Sequence, residues 1–66
     1  MDILLNGEPH TLPDDCTVAE LLRRTGLAER RVAVEVNGAI VPRSRHETHG
    51  LAGGDRVEIV QAIGGG

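Results

Sequence analysis

The sequence contains no aromatic residue, and all seven of its basic residues are arginines. Without Phe, Tyr or Trp, the core must be built from aliphatic side chains. Nucleic acids are disfavoured as ligands, because there is no aromatic platform for base stacking and a net charge of −3 repels phosphates. We therefore expect no nucleic-acid partner, and a basic protein surface is the better match.

Cysteine is scarce as well, and long apolar runs are missing. The one cysteine, Cys16, cannot form an internal disulfide, and no stretch approaches the roughly 20 apolar residues that cross a bilayer. Met1 leads directly into a strand-like run, without the charged and apolar regions of a targeting signal. We expect no membrane partner and no processed leader, and the default location is cytoplasmic.

A chain of 66 residues has room for one small domain. A protein of this length buries only about 60% of the surface that its unfolded chain exposes, which leaves no room for a second core. The prediction is one domain over residues 1–66, with a flexible C-terminal tail at residues 63–66.

Two Asn-Gly pairs, at residues 6–7 and 37–38, predict tight turns between strands, since Asn and Gly accept the positive φ that such turns need. Each pair separates two runs of strand-forming residues, and a fifth run follows a Gly-Gly-Asp turn near the C-terminus. The predicted strands are residues 2–5, 8–12, 32–36, 39–41 and 56–62.

One helix is predicted between the second and third strands. Thr17 and Glu20 have the spacing of a capping box, in which Thr17 caps the Glu20 amide and the Glu20 carboxylate reaches back. The helix would begin at Val18, run for about two turns and end at Gly26 in the left-handed conformation.

The predicted order is strand, strand, helix, strand, short strand, strand. A single helix can cover only one face of a sheet, so the fold class is α+β, with four to five strands in a mixed sheet and one main helix packed on one face. The last strand is expected at the centre, beside the first. The connection at residues 43–50 is expected to be irregular, with one helical turn capped by Ser44 over Glu47.

Several side chains that could carry chemistry have simpler structural interpretations. Cys16 precedes the helix at a hydrophobic-staple position, which favours a packed thiol over a sulfur relay. His46 and His49 could share a metal, but zinc needs three or four protein ligands, so a solvated loop is favoured and no metal site is predicted. Asp14 and Asp15 favour the positive end of the helix over a catalytic pair.

The sequence ends in three glycines directly after the last predicted strand. They have no side chains to bury and contribute nothing to a core. They do form a thin peptide that reaches roughly 10 Å beyond the sheet at about 3.3–3.6 Å per residue, narrow enough for a pocket in which any Cβ would clash. Taken alone, the glycines fit a frayed terminus equally well.

Four segments, spread from the first residue of the chain to the last, follow one known pattern. They are MDILLNG at 1–7, TVAELL at 17–22, VEVNGAIVPR at 34–43 and GDRVEIVQAIGGG at 54–66. The chain resembles the ThiS family of sulfur carriers, which has the ubiquitin-like β-grasp fold. Cys16 has no role in that family, and the loop from Ser44 to Leu51 matches it only loosely.

The resemblance implies that the working group is the C-terminal carboxylate of Gly66. A ThiF-like adenylyltransferase would use MgATP to form an acyl adenylate, and a cysteine desulfurase or other sulfur donor would supply a persulfide that converts it to a thiocarboxylate. A ThiG-like thiazole synthase would take this sulfur for the thiazole of thiamine. The chain would be a co-substrate and not an enzyme, with no catalytic residue and no bound cofactor.

The tail and one sheet face are the expected contacts with partners. Gly64 and Gly65 would enter their active sites, and the sheet face that the helix leaves uncovered would dock against them. Arg43 is as good a candidate for a structural surface charge as for a contact. The candidate contacts flank the tail on the last strand and are Arg56, Glu58, Val60, Ala62 and Ile63.

Three other functions stay open. The small subunit of molybdopterin synthase shares the fold and the thiocarboxylate but passes sulfur to a pterin precursor, and such subunits are typically longer and contain aromatics. A ubiquitin-like modifier would be attached to lysines through Gly66 by the same activation chemistry. A plain β-grasp binding module would have an incidental tail.

Overall fold

A computed structural model describes residues 1–61 of the chain. They form a five-stranded mixed sheet with one α-helix and one short 3₁₀ helix. In chain order the elements are β1 (Asp2–Leu5), β2 (Glu8–Thr11), α1 (Val18–Arg24), β3 (Val32–Val36), β4 (Ala39–Val41), the 3₁₀ helix (Arg43–Arg45) and β5 (Arg56–Gln61).

The strand order in the sheet is β2-β1-β5-β3-β4. β5 runs parallel to β1 and antiparallel to β3, so that Val57 lies opposite Leu5 on one side and Val36 on the other. This confirms the mixed sheet and the central position of the last strand. β5 pairs with β1 at Arg56 and Val57 and with β3 as far as Gln61, and the point at which it ends therefore has a defined place in the fold.

Both Asn-Gly turns form as predicted. Asn6 and Asn37 have φ values of 50° and 54°, and the glycines after them have 84° and 86°. Each asparagine also reaches the central strand: Asn6 Oδ1 accepts from the Ile59 amide, and Asn37 Oδ1 from the Arg56 amide, both at 2.9 Å. The two hairpins are thus fastened to β5 by turn side chains, which a turn pattern by itself does not predict.

Helix α1 begins after Thr17, whose Oγ1 accepts from the Glu20 amide at 3.2 Å, and Gly26 follows the helix with a φ of 77°. The other half of the predicted capping box does not form. The Glu20 carboxylate instead lies 3.1 Å from Arg23 Nε and 3.3 Å from Arg24 Nε. These charged donors, one turn further along the helix, replace the Thr17 amide as its partners.

The helix and the inner face of the sheet form the hydrophobic core. Val18, Leu21, Val34 and Val57 are completely buried at its centre. Burying one such side chain contributes about 1.5–3 kcal/mol to folding. The other core residues are Ile3, Leu5, Leu12, Cys16, Leu22, Val36, Val41, Leu51 and Ile59.

The connection from β4 to β5 differs from the prediction. Its helical turn lies at Arg43–Arg45, directly after Pro42, and no side chain caps it. The predicted turn, capped by Ser44 over Glu47, is therefore wrong in position. Pro42 ends β4 and its φ of −61° suits the entry to a helical turn, so the turn begins two residues earlier than the Ser44 cap would allow.

The prediction of a solvated loop is wrong at His46. Its side chain is only 7% exposed, and its Nε2 lies 3.1 Å from the Val41 carbonyl oxygen. Its own carbonyl accepts from the Ala19 amide at 2.8 Å. His46 thus connects the end of β4 to α1, and these hydrogen bonds make its burial acceptable. His49 is half-buried.

One strand end differs slightly from the predicted one. β2 ends at Thr11, and Leu12 leaves the strand to join the core, with its amide donating to the Met1 carbonyl at 2.8 Å. The predicted end of the last strand at Ala62 lies outside the described residues. No helix within residues 1–61 is long and apolar enough to span a membrane.

Candidate functional site

The structure describes the strand that leads to the predicted tail. β5 ends at Gln61, which lies opposite Val32 at the start of β3. The chain therefore enters the tail from a fixed point in the sheet. Five predicted site residues lie outside the described residues: Ala62, Ile63, Gly64, Gly65 and Gly66.

The two faces of β5 have opposite environments. Val57 and Ile59 are buried against the helix, whereas Arg56, Glu58 and Val60 are exposed on the other side. The three predicted contacts on this strand therefore share one surface, because successive strand residues face opposite ways. We call this surface the outer sheet face, and it consists of Leu4, Ala33, Glu35, Ile40, Arg56, Glu58 and Val60.

The outer sheet face combines exposed aliphatic side chains with two adjacent carboxylates. Leu4, Ile40 and Val60 are 40%, 61% and 63% exposed. Glu35 lies directly opposite Glu58, and neither forms an ion pair within residues 1–61. Like charges in this arrangement repel each other, and exposed apolar groups beside them are typical of a surface that binds a partner.

From the sequence, only the residues of this face that lie on β5 were predicted as contacts. Leu4, Glu35 and Ile40 were missed as candidates because their place beside β5 depends on strand register. The alternation in β3 was the available signal, since it puts Glu35 on the side opposite Val34.

Cys16 is unsuited to sulfur relay. Its side chain is 2% exposed, and its Sγ donates only to the Thr17 carbonyl oxygen at 3.5 Å. Burial raises the pKa of the Cys16 thiol, so the reactive thiolate is disfavoured at neutral pH. The predicted packed thiol is confirmed.

Asp14, which precedes the helix, has its carboxylate 3.2 Å from the Met1 amino group. Within residues 1–61, no group of three or more His, Cys, Asp or Glu side chains could hold a metal ion.

The family model for ThiS matches residues 3–66, a range that contains the helix, the strands from Ile3 onward and the three C-terminal glycines. The chain belongs to the ThiS family. This confirms the resemblance on which the sequence predictions for the tail were based.

Relatives of this ThiS-family chain differ in length. The sulfur carrier protein ThiS of Escherichia coli is 33% identical over 66 residues, and the match covers 100% of both chains. The thiazole synthases of Paramagnetospirillum magneticum and Magnetococcus marinus are 42% and 44% identical over 66 residues. The chain spans only about a fifth of the length of these two proteins, 20% of each.

Solved structures show the same fold. The crystal structure of the thiamine biosynthesis protein ThiS from Geobacter metallireducens is 33% identical, with a TM-score of 0.85 over 100% of both chains. The solution structure of the thiamine biosynthesis protein from the same organism gives 0.80. The five-stranded mixed sheet with one helix is therefore the β-grasp fold of ThiS, as predicted.

Proposed function

We propose that this chain is a sulfur carrier for thiazole formation in thiamine biosynthesis, with the Gly66 carboxylate as the carrying group. The observation that supports this most strongly is the ThiS family match, which extends through the glycine tail to residue 66. The similarity to the Escherichia coli sulfur carrier over the whole of both chains points to the same function.

The chemistry starts from the low reactivity of a carboxylate, which is a poor electrophile because oxide is a poor leaving group. The Gly66 carboxylate attacks the α-phosphorus of MgATP in a partner adenylyltransferase, forming an acyl adenylate and releasing pyrophosphate. A persulfide from a cysteine desulfurase or another sulfur donor then attacks the acyl carbon and expels AMP. Cleavage of the resulting S–S bond by a second thiol leaves a thiocarboxylate on Gly66.

In this proposal the chain acts as a co-substrate, and its partners provide the catalytic groups. Gly64, Gly65 and Gly66 have no Cβ, so the tail fits a narrow active-site channel. β5 supports this role, because its pairing with β3 as far as Gln61 fixes the point from which the tail extends. The buried Cys16 takes no part in sulfur transfer.

Thiazole synthase is the proposed acceptor of the sulfur. In the two bacterial thiazole synthases, a segment similar to this whole chain shares one polypeptide with the other four-fifths of the protein. Joining a donor to its acceptor raises the effective concentration of one for the other. A carrier that delivers sulfur to that enzyme gains from such a linkage.

The outer sheet face is the proposed docking surface for these partners. It carries the predicted contacts Arg56, Glu58 and Val60, and it lies on the same strand that leads into the tail. Its exposed aliphatic side chains suit an apolar contact area, and the facing carboxylates of Glu35 and Glu58 suit an arginine or lysine on the partner.

Transfer of labelled sulfur tests the function. Chain carrying heavy sulfur in its thiocarboxylate is incubated with thiazole synthase and its other substrates, including deoxyxylulose phosphate, and the thiazole phosphate is analysed by mass spectrometry. We expect the heavy isotope in the product from loaded chain and no product from chain lacking Gly66. Delivery of the label to a pterin by molybdopterin synthase, with none to thiazole, contradicts the proposal.

A further inference from the structure

A groove of about 410 Å³ lies at the end of the sheet where β3 begins and β5 ends. Its floor includes the apolar side chains of Leu22, Val32 and Val60, and Gln61, the last residue of β5, is also part of its wall. Three exposed arginines, Arg30, Arg31 and Arg43, also line it, and the remaining lining residues are Ala28, Ala33 and His46. We call this feature the basic groove.

The arginines of the basic groove differ from those of the helix. Arg23 lies 3.1 Å from Glu20 and 3.4 Å from Glu47, and Arg24 lies 3.3 Å from Glu20. Within residues 1–61, by contrast, no carboxylate is in ion-pair contact with the guanidinium groups that line the groove. Among residues 1–61, the groove thus gathers three arginines that are in no ion pair with a carboxylate, in a chain whose net charge is −3.

Such a concentration of one charge opposes folding through self-repulsion, but it attracts a partner of opposite sign. The volume of the groove is within the range of about 300–1,000 Å³ that is usual for ligand pockets. Because its lining combines apolar side chains with positive charges, the groove matches a protein segment that carries both aliphatic and acidic side chains. The groove borders Gln61, so anything bound in it lies next to the start of the tail.

We propose that the basic groove binds an acidic, partly apolar surface segment of the protein that takes up the tail. This inference rests on the proposed function, because it assigns the segment to the mouth of the active site that the tail enters. The groove and the outer sheet face share Val60, so one partner contacts both surfaces. Charge pairing at the groove accelerates association and orients the tail toward its channel.

The experiment measures binding of the full chain to purified adenylyltransferase and to purified thiazole synthase. The variant Arg30→Gln/Arg31→Gln/Arg43→Gln removes the three charges from exposed positions. Arg45→Gln is the matched control, because Arg45 is also exposed and without an ion pair within residues 1–61, but lines a different groove with Ile40 and His49. Dissociation constants are measured at low and moderate salt, with circular dichroism to verify folding.

We expect the triple variant to bind at least one of the two enzymes about tenfold or more weakly at low salt, with a flatter salt dependence than the unaltered chain. Arg45→Gln should bind within about twofold of the unaltered chain, as a surface charge outside the contact does. An unchanged dissociation constant and salt dependence in the triple variant, for both enzymes, overturns the inference.

Two further measurements separate this inference from the proposed function. The intact mass of the unaltered chain after incubation with adenylyltransferase, MgATP and a sulfur donor reports loading, whichever way the binding results fall. If the chain is loaded but the triple variant binds as well as the unaltered chain, the inference about the groove is overturned and the proposed function is supported. If the triple variant binds more weakly but the chain is not loaded, the inference is supported and the proposed function is overturned. Saturable binding of inorganic pyrophosphate in the groove, with partner binding unchanged in the triple variant, assigns it to a small anion and also overturns the inference.

Discussion

The two faces of β5 differ in environment, and in the proposed function one serves folding and the other partner recognition. On the inner face, Val57 and Ile59 are buried beneath the helix, where they add to stability. On the outer face, Arg56, Glu58 and Val60 are exposed and contribute little to it. Because side chains alternate along a strand, the two roles are carried by neighbouring residues. A substitution on the inner face should therefore lower the stability, whereas the same substitution on the outer face should not.

The outer sheet face and the basic groove differ in charge in a way that the net charge conceals. Glu35 and Glu58 face each other on the first, whereas Arg30, Arg31 and Arg43 line the second. The overall charge of −3 suggested a basic partner, and that expectation suits only the outer sheet face. In the proposed function, partner recognition depends on local charge, with each surface suited to an opposite charge.

The largest effect is expected from truncating neighbouring residues of β5. Ile59→Ala removes a buried side chain and should lower the free energy of unfolding by about 2–5 kcal/mol, whereas Val60→Ala should change it by less than about 0.5 kcal/mol. Urea denaturation followed by circular dichroism measures both. Similar losses of stability in the two variants would show that the outer sheet face also contributes to the stability of the fold.

A smaller effect is expected where the first hairpin is fastened to β5. Asn6 Nδ2 donates to the Ile59 carbonyl at 3.3 Å, and Asn6 Oδ1 accepts from the Ile59 amide at 2.9 Å. Asn6→Ala loses both hydrogen bonds and should destabilise the protein by about 1–3 kcal/mol in urea denaturation. Asn6→Gly keeps the positive φ without strain, so it isolates the hydrogen bonds. Unaltered stability in Asn6→Gly would mean that these bonds contribute nothing net.

The smallest effect has the opposite sign. Glu35→Gln removes the repulsion between facing carboxylates and should raise the free energy of unfolding by about 0.2–1 kcal/mol, most clearly at low salt. The control is Glu29→Gln, an exposed loop change that should leave stability as it is. If Glu35 contacts a basic partner group, the same variant should bind that partner more weakly. Lower stability in Glu35→Gln would show that its charge is compensated in the fold.

The local structure was largely predictable from short patterns. The two Asn-Gly turns, the Thr17 cap and the alternation along β3 and β5 each depend on a few neighbouring residues. The burial of His46 was not predictable, because it depends on the Val41 carbonyl and on a helix distant in sequence. The bonds from Asn6 and Asn37 to β5 likewise require the strand order of the finished sheet.

The candidate site likewise has a part that was predictable from the sequence and a part that depends on the finished fold. Arg56, Glu58 and Val60 were predictable from their place on the last strand, but Glu35 and Ile40 join them only through register. The basic groove assembles residues from the α1–β3 connection, the end of β5 and the 3₁₀ helix, and no single segment contains its pattern. Gly66 was identified by family resemblance, since glycines at a chain end have no pattern that a folded core explains.

The most direct test of the central claim is the intact mass of the chain after incubation with its adenylyltransferase, MgATP and a sulfur donor. We predict an increase in mass equal to the replacement of one oxygen by one sulfur, assigned by fragmentation to Gly66. Chain lacking Gly66 should keep its fold and gain no mass. Sulfur on any other residue, or loading of the shortened chain, would contradict the account.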